Sequence, residues 1–221
     1  MSAPPSDLRA KILAAARSEP SPTRAQSKLR SVITIAIGYA AALVVFFALG
    51  GGRVAARPVA LVATTAIGWS AVALVSVWWA VARGKSMLGR SREALLAITM
   101  AVAPLLLAWG ILSTQMFDVV SPERPMRFHV FCFAATLALA LGPFIALLVV
   151  RRASDPVHPR IAAAAIGAAA GAWGSVLIDL HCPSSATSHI AFGHVLPTVA
   201  LALLGLAAGD RILGVRASKP S

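Results

Sequence analysis

Both cysteines and four of the five histidines fall in two short stretches: His129 with Cys132, then His181, Cys182, His189 and His194 alongside Asp179. His129 and Cys132 are three apart, so on a helix they share one face. Imidazole and thiolate are the ligands that suit zinc or copper, and here several stand within a turn or two of one another. The same two thiols would pair, or answer to oxidants, in an oxidising compartment if their Cα atoms approached within about 7 Å. A plainer chemistry also fits, in which His and Cys cap helices and bond free carbonyls. The run from Asp179 through His194 carries no Lys or Arg, which leaves a neutral to acidic patch able to take a cation. The residues name no particular metal, and all three readings stand at this point.

The elements that must carry these residues are apolar helices. The 221 residues are 58% hydrophobic and only 13% charged, with a mean hydropathy of +0.79; soluble domains are about a quarter charged. A spanning helix needs about 20 apolar residues to cross roughly 30 Å of hydrocarbon. Six runs meet that length, at about 31–50, 58–82, 93–113, 128–150, 160–180 and 189–209. The sequence therefore predicts an all-α integral membrane bundle of six helices over residues 31–209. A soluble segment of residues 1–30 precedes it and a short tail, 210–221, follows. About 30 polar residues stand before the first apolar run, which argues against a cleaved signal peptide.

Orientation follows from the cations. The first segment, the second and fourth connections and the C-terminal tail hold sixteen Lys and Arg, against four in the first, third and fifth connections. Positive residues mark the cytoplasmic side, so both termini are expected in the cytoplasm and the His and Cys stretches on the outer face of a bacterial inner membrane. The net charge of +12 then serves topology and lipid attraction, with no direct nucleic-acid binding.

Within the spans, Gly167 and Gly171 lie four apart in an Ala-rich run, a spacing that lets helices approach closely. Pro104, Pro143 and Pro197 interrupt three runs, and the five tryptophans are expected mostly at span ends as an aromatic belt. Apart from Arg160 at the first position of the fifth, the runs contain no Lys or Arg, and their carboxylates, Glu93 and Asp179, stand at edges, so no midplane relay of the kind pumps use is expected. No phosphate-binding glycine loop, HExxH motif or Ser-His-Asp constellation occurs. The expected protein is not an enzyme and needs no cofactor.

The N-terminal segment carries its own signal. Ser6 and Asp7 can open a helix, followed by Leu8, Arg9, Lys11, Ile12 and Leu13, with Leu8 and Ile12 on one face. A short amphipathic helix is predicted near residues 7–18, lying on the inner leaflet through its cations or docking its apolar stripe into a partner's groove. Pro20 and Pro22 then make a linker.

The stretch Leu180-His181-Cys182-Pro183, a short polar segment, His189 and His194, and a last apolar run ending Gly209-Asp210-Arg211 resembles the C-terminal signature of polytopic membrane anti-sigma factors of the NrsF and CarR type. The plan of a short N-terminal segment and six spans is similar along the whole chain; the distinctive residues cover about 35 positions. The resemblance implies a negative regulator that holds an extracytoplasmic-function sigma factor at the membrane and frees it under stress. It also implies that Leu8, Arg9, Lys11, Ile12 and Leu13 bind that partner and that the outer residues sense the signal. His181 and Cys182 match the signature; Cys132 joins them by depth. In place of the carboxylate often found after Cys-Pro, this chain has Ser184. The competing reading is a small sensor or transporter of a metal or solute using the outer His and Cys.

Overall fold

The computed structural model describes residue 10 and residues 23–53, 57–82, 90–119, 121–152 and 157–214. Among them, six helices are long and apolar enough to cross a membrane. They are α1 (Arg24–Ala48), α2 (Val59–Val81), α3 (Arg92–Met116), α4 (Met126–Arg152), α5 (Pro159–His181) and α6, which runs from Thr187 to Leu213. The last is built of three parts: a short α-turn (Thr187–His189), a π-helical turn (Ile190–Val195) and an α-helix (Leu196–Leu213).

Every predicted run is helical, but several helices outrun it. α1 begins seven residues early, at Arg24, and α6 continues to Leu213. The extra turns hold Lys28, Arg30, Arg151, Arg152, Asp210 and Arg211. Helical bonding does not stop where apolar sequence does, and long cationic side chains suit the zone between hydrocarbon and water. Local caps set some ends: Ser91 Oγ accepts the Ala94 N–H at 3.3 Å, with Glu93 in the first turn of α3.

The chain divides into two units, Met1–Ile33 and Thr34–Ser221. In the first, Thr23 and Gln26 cap the start of α1 reciprocally. The Thr23 N–H donates to Gln26 Oε1 at 3.0 Å, and the Gln26 N–H to Thr23 Oγ1 at 3.3 Å. Leu8, Arg9, Lys11, Ile12 and Leu13 lie outside the described residues, and with them nearly all of the helix predicted near 7–18; Ala10, which is described, is helical.

The second unit is organised around α5. In its most apolar window 83% of residues are buried, against 17% in α1, which makes α5 the axis and α1 peripheral. Small side chains are the reason. A Cβ on Gly167 would stand 2.2 Å from the Leu201 carbonyl oxygen of α6, and one on Gly205 of α6 would stand 2.2 Å from the Ala163 oxygen of α5. Two backbones thus touch directly, the contact available to helices where lipid supplies no hydrophobic drive. Around this seam pack Leu147, Ile166 and Leu201 towards one end and Trp69, Leu106 and Ile190 towards the other. Large apolar side chains such as Ile37, Phe47, Ile67, Met100 and Leu203 point outward and are more than half exposed.

The tryptophans depart from the expected belt. Trp69 is wholly buried midway along α2 and donates its indole N–H to the Leu106 carbonyl at 2.9 Å; Trp109 of α3 donates to the Thr64 carbonyl at 3.0 Å. These crossed bonds tie α2 to α3, because a buried indole must find an acceptor. Trp173 meets Tyr39 edge-on with ring centroids 5.3 Å apart. Trp78 and Trp79 alone face outward near a helix end.

The α5–α6 seam gives a direct test. Gly205→Val should lower the thermal unfolding midpoint of the detergent-solubilised chain, at a cost of about 1–3 kcal/mol. Leu203→Ala on the outward face should leave the midpoint nearly unchanged, and equal midpoints for the two variants would refute the backbone contact.

Candidate functional site

Three connections meet at one end of the second unit. The His181 Nδ1–H donates to the Gly51 carbonyl at 2.8 Å, and the Arg53 N–H to the Leu180 carbonyl at 3.0 Å. The Ser185 N–H donates to Ser121 Oγ at 3.1 Å, and Ser188 Oγ to Glu123 Oε2 at 2.5 Å. The segment after α5 is therefore clamped to both neighbouring connections.

Beneath the clamp lies a buried ion pair. Arg57 Nη1 stands 2.9 Å from Asp179 Oδ1 and 3.4 Å from Ser185 Oγ, while Nη2 donates to the Asp179 backbone carbonyl. Both side chains are buried. Counting Arg57 among solvated loop cations missed this role; its position just before α2, level with the end of α5, was the available signal. Arg57 engages Asp179 through Oδ1 and the backbone carbonyl, and the carboxylate's Oδ2 is buried without a hydrogen-bond partner.

The π-turn of α6 has an identifiable cause. Pro197 has no N–H, so in regular α-geometry the Gly193 carbonyl would lose its partner. The chain instead winds one step wider, with the Leu196 N–H bonded to the Ala191 carbonyl. Neighbouring hydroxyls take the freed oxygens. Thr136 Oγ1 lies 2.9 Å from the Gly193 carbonyl and 2.7 Å from that of Cys132, and Ser175 Oγ lies 2.6 Å from the His194 carbonyl.

The winding also decides which side chains face one another. Residues five apart on an α-helix are about 140° out of register, whereas a π-turn, bonded from i to i+5, stacks them. His189 and His194 accordingly face together, ring centroids 5.2 Å apart. The Cys182 Sγ is 3.2 Å from His189 Nε2 and 3.9 Å from Cys132 Sγ. All four ligand atoms of Cys132, Cys182, His189 and His194 lie within 4.8 Å of one another, and all four residues are buried. Hydrogen bonds from Cys132 and, against the effect of burial, from His189 hold the Cys182 thiol below its ordinary value.

The other expected members stand nearby but are engaged elsewhere. His129 donates to the Arg124 carbonyl at 3.0 Å and packs on His189, centroids 4.9 Å apart; His181 is held by Gly51. Both cysteines are free thiols. A cavity of about 80 Å³ reaches Cys132, Cys182 and His189, with Arg53 and Arg124 on its wall. The set can therefore coordinate a soft ion or undergo thiol chemistry.

The model of a family described as negative regulator of sigma F matches residues 14–214. The chain belongs to this NrsF family. A curated relative from Azospira oryzae, named probable anti-sigma-F factor NrsF, is 29% identical over 114 residues, which cover 50% of this chain and 54% of that protein. The chain thus spans about half the length of the curated relative it matches. No solved structure matches the chain. All seven of His129, Cys132, Asp179, His181, Cys182, His189 and His194 fall within the residues matched by the NrsF family, whereas Leu8 through Leu13 precede them.

The ion pair yields a double test. Asp179→Asn strands a buried guanidinium and should destabilise the solubilised chain by about 3–5 kcal/mol, read from thermal unfolding. Joining it to the removal of its partner, as Arg57→Met with Asp179→Leu, should recover most of that loss; a double variant as unstable as the single one would show that the pair is not the origin.

Proposed function

We propose that the chain is a multi-pass anti-sigma factor of the bacterial inner membrane that sequesters an extracytoplasmic-function sigma factor and frees it on a stress signal. The observation that carries the reading is the NrsF family match across residues 14–214, on a chain whose helices are long and apolar enough for six crossings. The outward-facing Ile, Leu, Met and Phe side chains support burial in lipid, since a surface so apolar is otherwise an aggregation hazard. The sixteen-to-four division of Lys and Arg supports cytoplasmic termini.

In this reading Leu8, Ile12 and Leu13 offer an apolar stripe to the sigma factor, and Arg9 and Lys11 steer it. One short helix is a small interface, so the basic connections at residues 83–92 and 151–160 supply further contact. Tethering withholds the sigma factor from transcription without any catalytic step. Release requires that the signal change the partner's affinity from the opposite face, where Cys132, Cys182, His129, His181, His189, His194 and Asp179 gather. A coupling of about 1–3 kcal/mol would alter occupancy roughly 5- to 150-fold. The rigid parts available to transmit it are the clamp of three connections and the α5–α6 seam.

Two measurements test the reading. Deleting residues 1–28 should abolish co-purification of the sigma factor while the chain still inserts in the membrane; capture by the truncated chain would remove the N-terminal segment from the mechanism. On spheroplasts, a membrane-impermeant maleimide should label Glu123→Cys well above the parent chain and leave Ser27→Cys unlabelled until lysis. Labelling of Ser27→Cys before lysis would reverse the topology and with it the sequestration.

A further inference from the structure

We propose that Cys132, Cys182, His189 and His194 bind one zinc ion in a closed, four-coordinate site. Two ligands about 2.3 Å from a tetrahedral zinc lie about 3.8 Å from each other; the two sulfurs are 3.9 Å apart, and Cys182 Sγ is 3.2 Å from His189 Nε2. Disulfide formation would require closing the sulfurs to about 2.05 Å, whereas an ion between them leaves their spacing as it is.

Burial points the same way. His194 is 0% exposed, yet neither of its ring nitrogens has a hydrogen-bond partner, and His189 Nδ1 is likewise unpartnered. An imidazole sealed from water with both nitrogens idle has lost its hydration without a replacement bond. Coordination engages one lone pair of that ring directly. The ligand atoms gathered within 4.8 Å are those of Cys132, Cys182, His189 and His194, while Asp179 turns Oδ1 to Arg57, His129 meets the Arg124 carbonyl and His181 the Gly51 carbonyl. Two thiols and two imidazoles select zinc over hard cations.

Charge is also balanced. Zinc binding deprotonates both thiols, releasing two protons to water, and forms two Zn–S and two Zn–N bonds; nothing is oxidised or reduced. The resulting centre, a dication with two thiolates, is neutral, as a buried site between apolar helices requires. The ligands come from α4, from the segment after α5 and from the first turns of α6, so the ion would pin three elements that the chain otherwise joins there through packing, hydroxyl bonds and the thiol contacts of Cys182. The π-turn thereby gains a purpose beyond accommodating Pro197, since it alone sets His189 and His194 on the same side.

The site stands apart from the sigma-factor reading and is tested on the full-length chain in detergent under reducing conditions. Elemental analysis should find about one zinc per chain, falling to background in Cys182→Ser and in His194→Ala, and unchanged in His129→Ala. Variants are scored only when helical by circular dichroism and monodisperse; should both fail, the parent chain reloaded with cobalt should show the intense visible ligand-field bands of a tetrahedral sulfur–nitrogen site. A folded parent chain that holds no zinc and takes up neither zinc nor cobalt would overturn the proposal. So would a parent mass two hydrogens lighter, marking a disulfide, or zinc retained in both variants. Sigma-factor capture, measured on the same preparations, separates the two readings: capture without zinc sinks only the site, and zinc without capture sinks only the sigma-factor reading.

Discussion

The contact between α5 and α6 is made by main chain on main chain, with carbonyl oxygens of one helix occupying the space that side chains would fill on the other. In water such a seam would be supported by the expulsion of solvent from large apolar groups. In an apolar surrounding that force would be absent, leaving dispersion between surfaces close enough to touch along their length. The Ala-rich composition of α5 is therefore the means by which the helix can be central. Because α5 and α6 are held so near, Ser175 can reach the His194 carbonyl, and with α4 packed alongside, Thr136 can reach that of Gly193.

Polar satisfaction then does locally what packing does globally. Pro197 removes a donor, the chain widens into a π-turn, and two hydroxyls from neighbouring helices take up the carbonyls exposed by the change. A strictly α-helical start to α6 would point His189 and His194 in different directions. The proline thus sets the direction of imidazoles three and eight residues before it, although it touches no ligand itself.

Much of the architecture was legible in the residues. Six apolar runs of spanning length read as six helices because length and hydropathy decide that question almost alone, and Gly167 with Gly171 marked the axis. The ends were less legible, since Arg24 and Leu213 lie in helix that continues beyond the apolar stretch. Trp69 and Trp109 were misread as belt residues because composition does not say that an indole has found a carbonyl on a neighbouring helix. The gathering of His and Cys at one level was visible, but which four would converge was not: a spacing of five denies two residues a shared face on an α-helix, and only the wider turn restores it. Arg57 looked like an ordinary connection cation because its partner stands 122 positions away.

The cavity beside Cys132 and Cys182 is small. At about 80 Å³ it admits an object of a few water-sized volumes, so a bulky thiol such as a tripeptide cannot press its sulfur against either cysteine. Exchange with a surrounding pool of such thiols depends on direct contact between sulfurs. The burial of both sulfurs therefore disfavours direct exchange between the pair and that pool while the bundle stays closed.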